Sequence, residues 1–487
     1  MKPRACLVAA FGPALAACLV LAGVGPVAAS DPAAASERAG TIDAARIARA
    51  EQFVRSEMER QRIPGLAIAI IDHGRVALAR GYGYANLEHE VAVTAATLFQ
   101  SGSVGKQFTA ATIMLLAEDG RLSIDDPITR FLPEAPPEWS TIRIRHLLTH
   151  TSGIREYGDD ADFDVRRSYS DDGLVRMACA MPREFQPGER FSYSNTGYLL
   201  LGAIASRVGG RHYSEQLRDR VFKPLGMRSA RLIDEDAIIP DRAAGYRILD
   251  GKLANAQWIA PEQNTTGDGS LYLSLDDMIA WAQGLRAGKV LKAESWKQVY
   301  TPVVLNSGHS YPYGFGWDVY RFNGQRVIEH GGAVYGFKTQ ITRYLDADLA
   351  IIILANLEEA DPERIAHRVA GMVRDDLRPP QRQPIADPDP GRAATLRTFM
   401  QRAATGNLTA EDLPHVRGGF QPATSTLWRD DFKGLGELKT LELTAREMQG
   451  DDEHREYLAT FEHGERLVSH DLDPAGATVD FDLGELD

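Results

Sequence analysis

Ser101–Ala110 reads SGSVGKQFTA and sets Ser103 and Lys106 three residues apart. Phe108, Ile113, Leu115 and Leu116 follow at loosely helical spacing, and Gly120 stands where a helix C-cap would fall. Positions i and i+3 of a helix share one face, so this spacing brings an ammonium group beside a hydroxyl at the first helical turn. A serine is a poor nucleophile unless a base lies within hydrogen-bond reach. Lysine can be that base once burial or a nearby positive charge lowers its pKa. The free N–H groups of a helix start also favour negative charge developing at Ser103. Alone, the pair does not specify a function.

Two later stretches complete an ordered set: FSYSNTGYLLLG, with Tyr193, Ser194 and Asn195, and IEHGGAVYGF, with His330, Gly331 and Gly332. HLLTHTSG (His146 to Gly153), FQPGERFSYSN, KPLGM, GDGSLYLSLDDM and YGFGW stand in between in the expected order. On these motifs the chain resembles the serine β-lactamase and penicillin-binding-protein superfamily, in its class C and D-alanyl-D-alanine carboxypeptidase-like branch. The resemblance runs from about Arg60 to Asn356. It implies an α+β fold, with an antiparallel sheet flanked by helices and a mainly helical subdomain inserted between.

The resemblance also implies roles. Ser103 would attack a carbonyl and become acylated. Lys106 would take its proton or hold the proton network, and Tyr193 is the second candidate base, as a tyrosinate sharing one proton with the lysine. Asn195 would bind the substrate amide or orient Lys106. The backbone N–H groups of Ser103 and Ala333 would form the oxyanion hole, with Gly331 and Gly332 leaving room for the carbonyl. His330 stands where most true β-lactamases and DD-peptidases carry a lysine that receives the substrate carboxylate. Histidine is a weaker, pH-dependent cation. The departure points toward carboxypeptidase-, D-aminopeptidase- and esterase-like relatives. Two function classes follow. One is an exported serine hydrolase acting on D-amino-acid peptides, small amides or esters, with β-lactams as a further candidate. The other is a penicillin-binding sensor that acylates but barely turns over. No cofactor or metal is expected, and the partner is a small-molecule or peptide substrate.

The 487 residues are 44% hydrophobic and 25% charged, which suits a soluble protein of more than one domain. Residues 1–29 read as a secretory signal: Lys2 and Arg4, an apolar run, then Val27-Ala28-Ala29 for cleavage. Gly12, Pro13, Gly23, Gly25 and Pro26 interrupt the run, which argues against a membrane anchor. A lipobox ending at Cys18 is the less favoured reading. The expected location is periplasmic or secreted, without stable membrane insertion. The signal carries two bases and no acids, so the net charge of −13 becomes −15 on its removal. Basic stripes are missing and nucleic acid is not an expected partner. The mature chain keeps only Cys179, expected as a buried small hydrophobe.

Residues 30–41 read as a tether and 42–377 as the hydrolase domain. Within it Ile42–Arg62 is expected as a helix and GLAIAIIDHGRVALARGYGYA as a hairpin turning at Asp72-His73-Gly74. His146 and His150 lack a third ligand at metal spacing, so packing and capping are expected of them. Tyr157–Phe185 and Arg228–Gln263 read as loop-rich. Helices are expected from Tyr198 and over Met278–Leu285, and strands over Arg326–His330, Phe337–Leu345 and Leu349–Asn356. A closing helix is expected over Pro362–Leu377. Residues 378–392 hold five prolines and read as an extended linker that few contacts cross. Residues 393–487 read as a small α+β domain, acidic overall: Arg392–Asp487 has 19 acids against 10 Lys or Arg.

Overall fold

A computed structural model describes residues 42–159, 163–260, 266–379, 382–409, 411–413, 428–429 and 432–486. The expected signal and tether, with Cys6 and Cys18, lie outside them.

Asp43 opens helix α1 (Ala44–Gln61) by accepting from the Arg46 N–H at 2.7 Å. Strands β1 (Gly65–Asp72) and β2 (Arg75–Asn86) follow. The turn between them is His73 and Gly74, both at positive φ (49° and 75°). That is the two-residue hairpin geometry whose twist matches the strands. β3 (Val91–Ala92) is a short addition to the edge of β2, in a stretch with no strand signal of its own.

The catalytic-motif helix α2 (Lys106–Glu118), α3 (Asn195–Gly209) and α4 (Leu275–Arg286) form the helical side. Ser194 caps α3 by accepting from the Gly197 N–H, and Gly210 ends it at φ 74°. Ser274 and Asp277 make a reciprocal capping box on α4. The chain then returns as β4 (Asp318–Phe322), β5 (Gln325–Val334), β6 (Phe337–Tyr344) and β7 (Leu349–Ala355), closed by α5 (Pro362–Val373). β5 runs four residues beyond His330, carrying the glycine pair into the sheet. β4 and the hairpin Tyr246–Leu249/Lys252–Asn255 were not apparent from periodicity.

One seven-stranded antiparallel sheet results, ordered β4-β5-β6-β7-β1-β2-β3. β1 sits between β7 and β2, with Ile68 opposite both Ile353 and Arg80. It is buried along its whole length, which explains an apolar run in place of alternation. Its two faces serve different cores. Ala67, Ala69 and Ile71 join residues of α2, α3 and α4. Leu66, Ile68 and Ile70 join Val54 of α1 and Ile365 and Val369 of α5. Across α1 and α5, Glu57 accepts from Arg60, Gln61 and Arg364 at 2.6–2.9 Å. Burial pushes its carboxyl up, but these donors hold it below its ordinary value. Among the described residues, no helix is long and apolar enough to cross a membrane.

After the linker come α6 (Pro390–Thr405) and an antiparallel meander, β8 (Leu438–Gln449), β9 (Asp452–Phe461), β10 (Gly464–Leu472) and β11 (Thr478–Glu485). They have a core of their own, with Leu396, Phe399, Tyr457, Val468 and Phe481. A few contacts do cross the linker. The β8–β9 turn reaches back, with Gly450 N–H donating to the Ser310 carbonyl at 2.7 Å and His309 meeting Asp451 at 2.5 Å. Arg382 also lies 3.4 Å from Glu456. Sequence periodicity could not register these contacts, because they join turns rather than apolar faces.

The two larger cores include no residue beyond Leu377, and the third none before Ala393, among the described residues. A chain ending at Leu377 is therefore expected to fold cooperatively, with a melting temperature lower by about 2–8 °C from the lost turn contacts. Thermal melts followed by circular dichroism check this. An insoluble or already unfolded fragment would make the C-terminal meander part of the hydrolase fold.

Candidate active site

Ser103 lies in a 3₁₀ turn, Gly102–Gly105, that runs directly into α2, whose first residue is Lys106. The turn is anchored behind by Ser101, whose N–H donates to the Leu271 carbonyl at 2.8 Å and whose Oγ donates to the Gly269 carbonyl at 2.7 Å. Gly102 has φ 50°, and a Cβ there would stand 2.6 Å from the Ala333 nitrogen. Only glycine allows that approach.

Lys106 is fully buried. Its Nζ meets three acceptors: Ser103 Oγ at 2.9 Å, Asn195 Oδ1 at 2.7 Å and the Asp268 carbonyl at 2.8 Å. Burial lowers its pKa to about 8, against an opposing pull from Asp268 and Glu156. Asn195 starts α3, and its side chain also hydrogen-bonds Glu156. With Oδ1 taken by the ammonium, the amide NH₂ is the group facing Glu156. Glu156 further accepts from Ser194 Oγ, Thr196 N–H and Thr196 Oγ1 at 3.1–3.2 Å. Burial raises its pKa despite these donors. Of the two roles expected for Asn195, the geometry favours orienting Lys106.

Tyr193 is hydrogen-bonded to Ser103, and its ring lies 4.8 Å from Lys106 Nζ. Burial raises its pKa well above 10. Burial works against the expected tyrosinate, since removing the phenol from water penalises the anion more than Ser103 helps it. The Tyr193 ring stacks on His150 at 4.1 Å between centroids.

His330 lies on β5 and borders the cleft, but it is 4% exposed and both ring nitrogens are engaged. Nε2 is 2.9 Å from the Tyr313 hydroxyl and Nδ1 is 2.6 Å from the Gly331 carbonyl. Burial, reinforced by Lys106, lowers its pKa to about 4. The expectation of an imidazolium receiving a carboxylate is corrected accordingly: at neutral pH the ring is uncharged and offers the cleft no spare N–H.

β4 stops pairing with β5 at Asp318–Glu329, so from His330 to Val334 the strand has a sheet partner only in β6. The serine turn packs along this stretch. A Cβ on Gly332 would lie 2.1 Å from the Ser101 carbonyl and 3.1 Å from the Ser103 nitrogen. Gly102 against Ala333 and Gly332 against Ser103 thus bring the serine turn and β5 close together at the two backbone nitrogens expected to form the oxyanion hole. The cleft beside them holds about 1050 Å³, lined by Ser103, Tyr193, Gly332 and Ala333, and farther out by Glu363 and Asp482. Glu329, Glu363 and His367 bring three ligand-type atoms within 4.8 Å of one another. However, Glu329 already accepts from Tyr320, Thr342 and Gln340, and His367 lies between it and Tyr344.

Ser103, Lys106, Tyr193, Asn195, His330, Gly332 and Ala333 therefore meet at one cleft, although they span 231 positions of sequence. Sequence reasoning missed Glu156, Asp268 and Tyr313, and assigned His150 only to packing. His150, Asp268 and Tyr313 sit in HLLTHTSG, GDGS and YGFGW, so the phrases were visible while the contacts were not. His146 does cap, with Nδ1 accepting from the Arg143 N–H at 3.1 Å. Cys179 is half-buried, its thiol pushed up to about 11 by burial.

Fold and site are those of a serine hydrolase with a serine–lysine pair. The chain belongs to the Beta-lactamase family, whose model matches residues 50–375. It is 30% identical over 318 residues to penicillin-binding protein 4* of Bacillus subtilis (strain 168), covering 62% of this chain and 70% of that protein. It is 31% identical over 316 residues to a D-aminopeptidase of Gluconobacter oxydans (strain 621H), covering 63% of this chain and 59% of that enzyme. In solved structures, the octameric penicillin-binding protein homologue from Pyrococcus abyssi superposes with TM-score 0.62 at 23% identity, covering 90% of this chain and 98% of that one. The D-amino acid amidase from Ochrobactrum anthropi SV3 gives 0.58 at 23% identity, over 68% and 97%.

Gly332→Ala tests the close approach. Its methyl must push β5 away from the serine turn, and a misplacement near 1 Å is expected to lower kcat about 100-fold. Steady-state kinetics beside a thermal melt check it; unchanged kcat would separate Gly332 from the carbonyl site.

Proposed function

We propose that this chain is an exported serine hydrolase that acts, through a Ser103 acyl-enzyme, on amides of D-amino acids or on small esters without a carboxylate near the scissile bond. One observation carries the chemistry. Neutral Lys106 has two N–H bonds, and Asn195 Oδ1 and the Asp268 carbonyl can only accept. Both N–H bonds are directed to them, and the lone pair is left facing Ser103 Oγ at 2.9 Å.

Lys106 then removes the serine proton as Oγ attacks the carbonyl. The oxyanion forms against the N–H groups of Ser103 and Ala333. Neutral Tyr193 donates its proton to the leaving amine or alkoxide and recovers one directly from the Lys106 ammonium beside its ring. Water repeats the sequence in reverse and releases the acid. The D-amino-acid part of the reading rests on the similarity to a D-aminopeptidase. The absence of a required carboxylate rests on the engaged, neutral His330. Export rests on residues 1–29 of the sequence.

Ser103→Ala is expected to lower turnover of p-nitrophenyl esters and D-alanyl amides by at least ~10⁴-fold with the melting temperature nearly unchanged. Near-normal turnover would refute the nucleophile. A stable adduct in wild-type mass spectra, with no steady-state product, would favour the sensor reading instead.

The base must be neutral to act, so kcat/KM should rise with pH through about 8, the lowered pKa of Lys106. Lys106→Met should abolish that limb and cost about 10²–10⁴-fold. Because His330 titrates near 4, carboxylated and neutral substrates should give a constant kcat/KM ratio from about pH 5 to 8. A ratio that falls near pH 6.5 would restore an imidazolium to carboxylate recognition.

A further inference from the structure

Five groups behind Tyr193, joined by four hydrogen bonds, form a continuous line that the acyl-transfer steps do not use. Ser194 N–H donates to His150 Nδ1 at 3.0 Å, and His150 Nε2 is 3.1 Å from Tyr313 Oη. Tyr313 Oη is 2.9 Å from His330 Nε2, and His330 Nδ1 is 2.6 Å from the Gly331 carbonyl. The two fixed ends determine every proton between them. A backbone N–H can only donate, so His150 Nδ1 is bare and its Nε2 carries the hydrogen. A carbonyl can only accept, so His330 Nδ1 carries the hydrogen and its Nε2 is bare. Tyr313 thus accepts from one imidazole and donates to the other. Tyr198 is a further hydrogen-bond neighbour of Tyr313, but its own proton goes to the Leu148 carbonyl at 2.9 Å. An imidazole nitrogen is the stronger acceptor, so His330 holds the Tyr313 proton.

His150 is also what Tyr193 rests on. Its carbonyl accepts from Ser192 N–H at 2.9 Å and its ring accepts from Ser194 N–H, so it grips the backbone on both sides of Tyr193 while stacking on the phenol. On the proposed serine-hydrolase reading, we infer that Tyr313 is a positioning residue, whose hydroxyl ties His150, the seat of Tyr193, to His330 on the strand that carries the Ala333 N–H. The line joins the two halves of the site, the helical side that holds Tyr193 and the sheet edge that holds the oxyanion donors. It requires both imidazoles to be neutral. If His330 gains a proton, its Nε2 and that of His150 both donate toward Tyr313 Oη, and the tyrosine's own proton must turn from His330 to Tyr198 Oη, which breaks the line.

The groups facing these rings favour neutrality. Lys106 on α2 repels protonation of both, and His330 disfavours charge on His150. Glu329, beside His330 on β5, pulls the other way. Tyr193, Tyr198 and Tyr313 surround them as uncharged rings. Tyr313→Phe removes the donor that holds His330 Nε2 bare. The His330 pKa should then move up toward its ordinary value.

The first experiment needs no substrate. ¹⁵N spectra of histidine-labelled protein at pH 7 should contain one imidazole with only Nε2 protonated and another with only Nδ1 protonated, assigned to His150 and His330 by loss of the second signal in His330→Gln. A charged His330, or His330 protonated on Nε2, would overturn the proposal whatever the enzyme's activity. The second experiment is Tyr313→Phe. Kcat should fall about 10- to 100-fold with KM within about two-fold, as for a displaced catalytic group. A new acid limb should appear between about pH 5 and 6.5 that wild type lacks. If Tyr313→Phe only lowers the melting temperature and leaves kcat and the profile unchanged, Tyr313 is structural and the inference fails. Ser103→Ala tests the hydrolase reading separately.

Discussion

The buried Lys106 ammonium is the constraint on which the arrangement depends. A cation taken out of water is costly unless every donor is matched. Here the matches come from three distant places: the serine turn, the start of α3 and the Gly267–Gly269 segment. The lysine therefore fixes the position of Asn195 and of Asp268, and each of these fixes the element it belongs to. Functionally, the same arrangement settles the direction of the lone pair, because two of the three partners cannot donate.

Tyr193 and His330 show how burial decides protonation. Both would be ionisable in water in the range where such an enzyme works or close above it. Within the cleft wall, desolvation keeps the phenol protonated and the imidazole uncharged. Of Lys106, Tyr193 and His330, only Lys106 is then left to carry charge, and the histidine becomes part of a neutral hydrogen-bonded line. Replacing lysine by histidine on β5 does not weaken a cation; it removes one, and the polar atoms are satisfied inside the protein.

The C-terminal meander bears on the cleft from outside the family-matched segment. Its Asp482 and Leu483 line the far end of the same space that Ser103 opens into. The turn at Gly450–Asp451 holds that position against residues 309–310. The proline-rich joint is therefore a spacer with contacts on both sides rather than a loose tether.

Much of this was legible in the chain. β1 was readable because two apolar runs flank Asp72-His73-Gly74, whose residues suit a hairpin turn. Ser103 and Lys106 were readable as an i, i+3 pair, and Tyr193, Asn195 and the His330 glycines through the ordered motifs that the chain shares with the resembled family. What only the tertiary structure decided was what each of these residues touches. Glu156 orients Asn195, Tyr313 separates two histidines 180 positions apart, and His150 supports Tyr193, none at a spacing that a helix or strand imposes. Proton positions were likewise out of reach of the sequence. They follow from burial and from which partners can only accept or only donate, and those are properties of packed surfaces rather than of any single stretch of chain.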